Sequence, residues 1–153
     1  MADNAEILVK IKENFSHFIV EASEFRGELT VVVKREGLVS VLTFLKEDLN
    51  MDFDYLADLC GVDYMGREPR FAVVYQLYSI PKNHSVRIKA FTDSAQCKVP
   101  TVTGIWKTAN WHEREVYDMF GIKFEGHPDL RRILMPDNFA GHPLRKDFPL
   151  FSQ

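Results

Sequence analysis

Four of the seven prolines fall in the last 33 residues, at 128, 136, 143 and 149, and no other feature restricts the fold of this chain as much. A ring that fixes φ and removes a backbone N–H cannot sit inside a helix, so this spacing forbids any helix longer than about two turns after Gly121. The segment is nevertheless apolar, with Ile122, Phe124, Leu130, Ile133, Leu134, Met135, Phe139, Leu144, Phe148, Leu150 and Phe151. Disordered segments lack such residues, and a structureless stretch of this length is unusual inside a compact domain. The segment must therefore bury itself on something. We read 121–153 as an extended docking segment that wraps its own domain in part and lies on a partner for the rest.

One phrase occurs twice in it. Gly126-His127-Pro128 is trailed by Leu130 and Arg131, and Gly141-His142-Pro143 by Leu144 and Arg145. Glycine permits a turn, proline holds the residue before it extended, and the histidine between them is placed to brace a bend.

Upstream, the periodicity is regular. Asp3 and Glu6 form a capping box, and Ile7, Leu8, Ile11 and Phe15 follow at helical spacing, which predicts an amphipathic helix over 4–15. Phe18, Val20 and Ala22, then Leu29, Val31 and Val33, alternate about the turn Phe25-Arg26-Gly27-Glu28 and predict a hairpin. Leu38, Val41, Leu42, Leu45 and Leu49 mark a second helix. Residues 56–64 read as a short strand, 71–80 as a central strand, and 86–90 as a strand with one wet face after the turn Pro81–His84. A loop is expected over 94–100 and a short helical stretch near 101–108. Asn110 with Glu113 then offers a second capping box, opening a helix that ends at Gly121. This order predicts an α+β fold: a two-layer sandwich with a mixed sheet of about five strands and helices on one face. The α/β domain spans 1–120 and the irregular extension 121–153.

Several functions are poorly served. The net charge of −3 provides no field for a phosphate backbone, and residues 111–153 carry six Lys/Arg against seven Asp/Glu, so no nucleic-acid role is expected. Two separated cysteines, Cys60 and Cys97, are too few for a four-cysteine zinc or iron–sulfur site. The first fifteen residues resemble neither a signal nor a transit peptide, and no apolar run approaches the ~20 residues of a membrane span. Glycine-rich phosphate loops and nucleophile elbows are absent. A small metal-dependent hydrolase built on His112, His127, His142 and the carboxylates Glu113, Glu115 and Asp118 stays as an alternative, although His112-Glu113 lacks the second histidine of HExxH.

The stretch NWHEREVYDMFGIKFEGHPDLRRIL, 110–134, with GHPLRKDFPL, 141–150, closely resembles the signature of the 30-kDa (C-type) subunit family of respiratory complex I, the proton-pumping NADH:quinone oxidoreductase. The resemblance rests on Glu113, Arg114, Glu115, Asp118, Gly121, Gly126, His127, Pro128, Arg131, Arg132 and Leu134, then Gly141, His142, Pro143, Arg145, Lys146 and Asp147. It implies a non-catalytic scaffold in the peripheral arm, with no cofactor, metal or catalytic residue of its own. FMN, iron–sulfur clusters, NADH and quinone would belong to other subunits. The partners implied are the D-like quinone-site subunit and the B-like cluster subunit. The chain would be peripheral, on the cytoplasmic side of a bacterial inner membrane. An equivalent subunit of a membrane-bound hydrogenase or a plastoquinone complex is the alternative within the resemblance. Phe124, Leu134, Phe139 and Phe148 are the expected apolar anchors on the partner, with Arg131, Arg132 and Arg145 making charge-assisted contacts there.

Overall fold

The computed structural model describes residues 3–148; Pro149, Leu150 and Phe151 lie outside the described residues. Helix α1 (Asn4–Phe15) begins where the capping residue predicts, with the Asp3 carboxylate accepting the Glu6 N–H at 2.9 Å. Strands β1 (Ile19–Phe25) and β2 (Glu28–Val33) form the predicted hairpin. Its two turn residues, Arg26 and Gly27, both have positive φ, which matches the twist of the flanking strands. Helix α2 (Leu38–Glu47) buries Leu38, Val41, Leu42 and Leu45 completely, each burial favouring the fold by about 1.5–3 kcal/mol. It carries the chain across the sheet to a meander of β3 (Tyr55–Asp63), β4 (Phe71–Ser79) and β5 (His84–Thr92).

The five strands lie in the order β1-β2-β5-β4-β3. The β2–β5 pair is parallel and the others antiparallel, so the sheet is mixed. The strand over 71–80 is interior, but β5 occupies the centre. Alternation decides which face is covered. Val31 and Val33, Leu59, the odd residues of β4 and the even residues of β5 are buried, while Gln76, Arg87 and Lys89 line the open face. Helix α3 (Ala109–Phe120) packs on the same side, over Gly61 of β3: a Cβ there would come within 2.7 Å of Phe120 and 3.1 Å of Val116.

Three local readings are corrected. The 94–100 loop contains a short strand, β6 (Lys98–Pro100), which pairs in parallel with β7 (Lys123–Glu125). Regular structure therefore continues past Gly121, and Ile122 and Phe124 belong to the domain's core. The 101–108 stretch is a run of turns without a helix. Helix α3 begins at Ala109, one residue ahead of the expected cap, and Asn110 lies inside it. Three-residue strands held by distant partners leave no periodic trace, which is why the sequence does not reveal them.

Candidate functional site

The signature residues converge on α3 and on the strap that follows it. Asp118 is the hub. Its carboxylate is completely buried and accepts the backbone N–H groups of Ile133, Leu134 and Met135 at 3.2, 2.8 and 2.9 Å, together with the Arg132 guanidinium at 2.8 Å. Burial opposes the charge, but the three backbone donors and Arg132 outweigh it and hold the pKa below the ordinary carboxylate value. Arg132 also donates to the Gly141 carbonyl at 2.7 Å, tying the second bend to the first.

The two histidines staple the strap to opposite ends of α3. His127 Nδ1 accepts the Asp129 N–H at 2.9 Å, so its ring proton sits on Nε2, which donates to the Asn110 carbonyl at 3.2 Å in the first turn. His142 Nδ1 donates to the Asp118 carbonyl at 3.0 Å near the last turn. Gly126 and Gly141 both have positive φ, at 83° and 93°, as their bends require. The open carbonyls at the helix end are met by the strap: the Leu144 N–H donates to Met119 at 2.9 Å, and Arg145 Nε to Phe120 at 2.6 Å. Gly121, at φ 78°, ends the helix where a Cβ would collide with Arg145 and His142.

Farther along, Asp63 at the end of β3 receives the fork of Arg70 at 2.7 and 2.8 Å and the Lys146 N–H at 2.8 Å. Arg70 reaches Asp147 as well, at 3.0 Å, and lowers the pKa of both carboxylates. Arg70 and Arg145 both stack on the Phe71 ring. Neither Asp63 nor Arg70 stands out in the sequence, because isolated charges at strand ends carry no spacing signal.

Glu113 is separate. Its carboxylate is completely buried and accepts the Thr101 hydroxyl at 2.5 Å and the Val102 N–H at 2.8 Å; it does not reach back to a helix cap. Burial, only partly offset by these donors, pushes its pKa up to about 7. Glu115 accepts the Trp111 indole N–H at 2.8 Å, and Arg114 donates to the Arg131 carbonyl at 3.2 Å.

The expected partner contacts divide. Phe124 is 2% exposed and buried in the domain's own core, so it is corrected from partner anchor to core residue. Arg132 and Arg145 turn inward. Arg131 remains exposed and, among the described residues, pairs only with its neighbour Asp129, at 2.9 Å. Phe139 and Phe148 are half-buried and stack with ring centroids 5.9 Å apart. Leu134 and Leu144, each 55% exposed, flank a shallow groove of about 300 Å³ floored by Cys60, Gly61 and Met119, and Trp111 on α3 is 53% exposed. Pro128 and Lys146 are exposed and Pro143 half-buried.

A metal fits poorly among the histidines. Both nitrogens of His127 are engaged, and the second nitrogen of His142 lies beside the Arg145 guanidinium; burial and that cation lower the His142 pKa. No group of three His, Cys, Asp or Glu side chains suited to a metal occurs among the described residues.

Residues 31–153 match the family described as respiratory-chain NADH dehydrogenase, 30 Kd subunit. The chain belongs to that family. It is 52% identical over 150 residues to the C subunit of NADH-quinone oxidoreductase from Geotalea uraniireducens (strain Rf4), a match that covers 98% of this chain and 90% of that protein. The corresponding subunit from Geobacter sulfurreducens (strain ATCC 51573 / DSM 12127 / PCA) is also 52% identical, over 151 residues, 98% of this chain and 92% of that one. Among solved structures, the trypsin-resistant fragment (1–134) of Nqo5 is similar with a TM-score of 0.72 and 36% identity, over 82% of this chain and 98% of that one. A chain of the membrane-bound sulfane sulfur reductase, an archaeal respiratory membrane complex, is similar at TM-score 0.79 and 27% identity, over 95% and 85%. In this member of the 30-kDa subunit family, Arg114, Asp118, Arg132 and Arg145 of the signature join α3 to its strap.

Proposed function

We propose that the chain is a non-catalytic scaffold subunit in the peripheral arm of a membrane-associated NADH:quinone oxidoreductase, the complex that passes electrons from NADH to quinone and couples this to proton translocation. The observation that carries the reading is the use made of the family signature. Asp118, Arg132, His142 and Arg145 bond to the chain's own backbone and to one another, leaving Trp111, Leu134 and Leu144 outward. Groups held this way shape a surface; they do not converge on a substrate. Exposed apolar residues beside an ordered strap suit burial against another subunit.

The partner in this reading is a D-like quinone-site subunit, with a B-like cluster subunit adjoining it. FMN, iron–sulfur clusters and quinone sit in other subunits. Among the described residues no helix is long and apolar enough to cross a membrane, which accords with peripheral attachment through the complex. The cytoplasmic face of a bacterial inner membrane is the proposed side. The likeness to the sulfane sulfur reductase chain supports a second reading, in which the same scaffold serves a complex with another electron donor. The higher identity to NADH-quinone oxidoreductase subunits favours the first.

The test is complementation of a strain lacking this subunit with the Leu134→Asp, Leu144→Asp double variant. The scaffold reading expects less assembled complex, with NADH:quinone turnover per assembled complex unchanged. Normal assembly with lost turnover would assign the chain a direct catalytic part.

A further inference from the structure

Glu113 has no use in holding the strap by charge, and its surroundings are unlike those of the other signature acids. Asp63 and Asp118 each face an arginine. Around Glu113, by contrast, no lysine or arginine lies in ion-pair range among the described residues; the one basic side chain is His127, whose Nε2 is 3.9 Å from Oε1. Both side chains are 0% exposed. From the 101–103 turns, the Thr101 hydroxyl and the Val102 N–H point at the carboxylate, and the Thr103 N–H donates to that hydroxyl at 3.2 Å. From β4, the hydroxyl of Tyr75 is buried without a hydrogen-bond partner among the described residues. Burial, and then the charge of Glu113, raise the Tyr75 pKa well above the ordinary value, so the phenol stays neutral. From α3 itself, the Asn110 carbonyl accepts the hydrogen bond that His127 Nε2–H donates.

The pair therefore sits where three elements meet: the first turn of α3, the 101–103 turns and the first glycine-histidine-proline bend. His127 bears its single proton on Nε2, because Nδ1 accepts the Asp129 N–H. It supplies no positive charge to Glu113 in this arrangement. An ionised carboxylate here is a buried charge with two hydrogen bonds and no counter-ion, a costly state. A protonated one is neutral and still offers an acceptor to Val102.

We propose that Glu113 and His127 form a buried, proton-operated latch that holds the first glycine-histidine-proline bend and the 101–103 turns on the opening turn of α3, closed with Glu113 protonated and loosened when it ionises. The proton enters and leaves at the Glu113 carboxylate, and no other covalent bond changes. Opening lets water reach the carboxylate, which takes up its charge more readily there, so rising pH favours the open form. The expected midpoint for the closed form is about 7, so the latch operates near neutral pH. The inference concerns the chain by itself and does not depend on the assembly proposed above.

The test uses the full chain in solution. The side-chain carboxyl carbon of Glu113 is followed by NMR from pH 4 to 9, with its signal assigned through the backbone. Amide exchange, corrected for intrinsic rates, is read at Val102 and Asp129. The latch predicts a carboxyl midpoint near 7 and local opening that rises roughly tenfold per pH unit between about 5 and 7, then levels. Glu113→Gln, which keeps an acceptor and cannot ionise, should make opening at both amides independent of pH. A carboxyl midpoint below about 5, or wild-type opening at these amides that ignores pH, overturns the proposal. Both wild-type readings stand even if the variant does not fold.

Discussion

At the scale of single residues, Asp118 and Arg131 separate two kinds of signature position. Removing the Asp118 carboxylate by Asp118→Ala strips three backbone N–H groups and the Arg132 guanidinium of their acceptor. Breaking a buried pair of this kind costs about 3–5 kcal/mol, to be read as a lower urea midpoint of the isolated chain. Arg132→Ala should approach that loss. Arg131→Ala should change chain stability by less than about 0.5 kcal/mol, since its pairing with Asp129 is exposed, and should instead lower assembly of the complex. The carboxylates also set opposite pH dependences. The Asp118 and Asp63 pKa values are lowered by folding, so their stabilisation is complete above the unfolded value and lost as pH falls through the folded one. The Glu113 pKa is raised from 4.5 to about 7, so its contribution is complete below 4.5 and lost as pH rises through 7. A shift of that size corresponds to about 3 kcal/mol. Thermal unfolding of the wild type should therefore weaken between pH 5 and pH 7.5, and Glu113→Gln should flatten this fall.

At the scale of elements, the α3–β3 contact and the strap determine what can change. Gly61→Ala would put a methyl 2.7 Å from Phe120, and α3 would have to lift off β3, at about 1–3 kcal/mol. Calorimetry of that variant against wild type measures it. The elements legible in the sequence were those whose pattern is local: the Asp3-capped α1, the Leu38–Leu45 stripe of α2 and the hairpin around Arg26-Gly27. The illegible ones depend on distant partners. Phe124 sits in a proline-rich run and reads as an outward anchor, yet the β6–β7 pairing turns it into the core. Glu113 reads as a capping residue, but its donors are Thr101 and Val102, across a turn that periodicity does not describe. The signature was legible as a set; its geometry was not. Nothing in the spacing of Arg132 and Arg145 says whether they face a partner or the end of their own α3.

At the scale of the whole molecule, the domain and its strap form one shaped surface, with Asp118, Arg132 and Arg145 turned inward and Trp111, Leu134 and Leu144 left outside. The strap in this account is set on its own domain before assembly, and partners meet a ledge already formed. Pre-ordering of this kind lowers the entropy that must be lost on docking. Amide exchange over 126–148, compared between the isolated full chain and the assembled complex, tests this most directly. Ile133, Leu134, Met135 and Leu144 should already be slow in the isolated chain, because Asp118 and Met119 hold their N–H groups, while Asp137, Asn138 and Ala140 should slow only on assembly. Fast exchange throughout 126–148 in the isolated chain, with protection appearing only in the complex, would contradict a preformed strap and would move the signature charges from the domain to the partner.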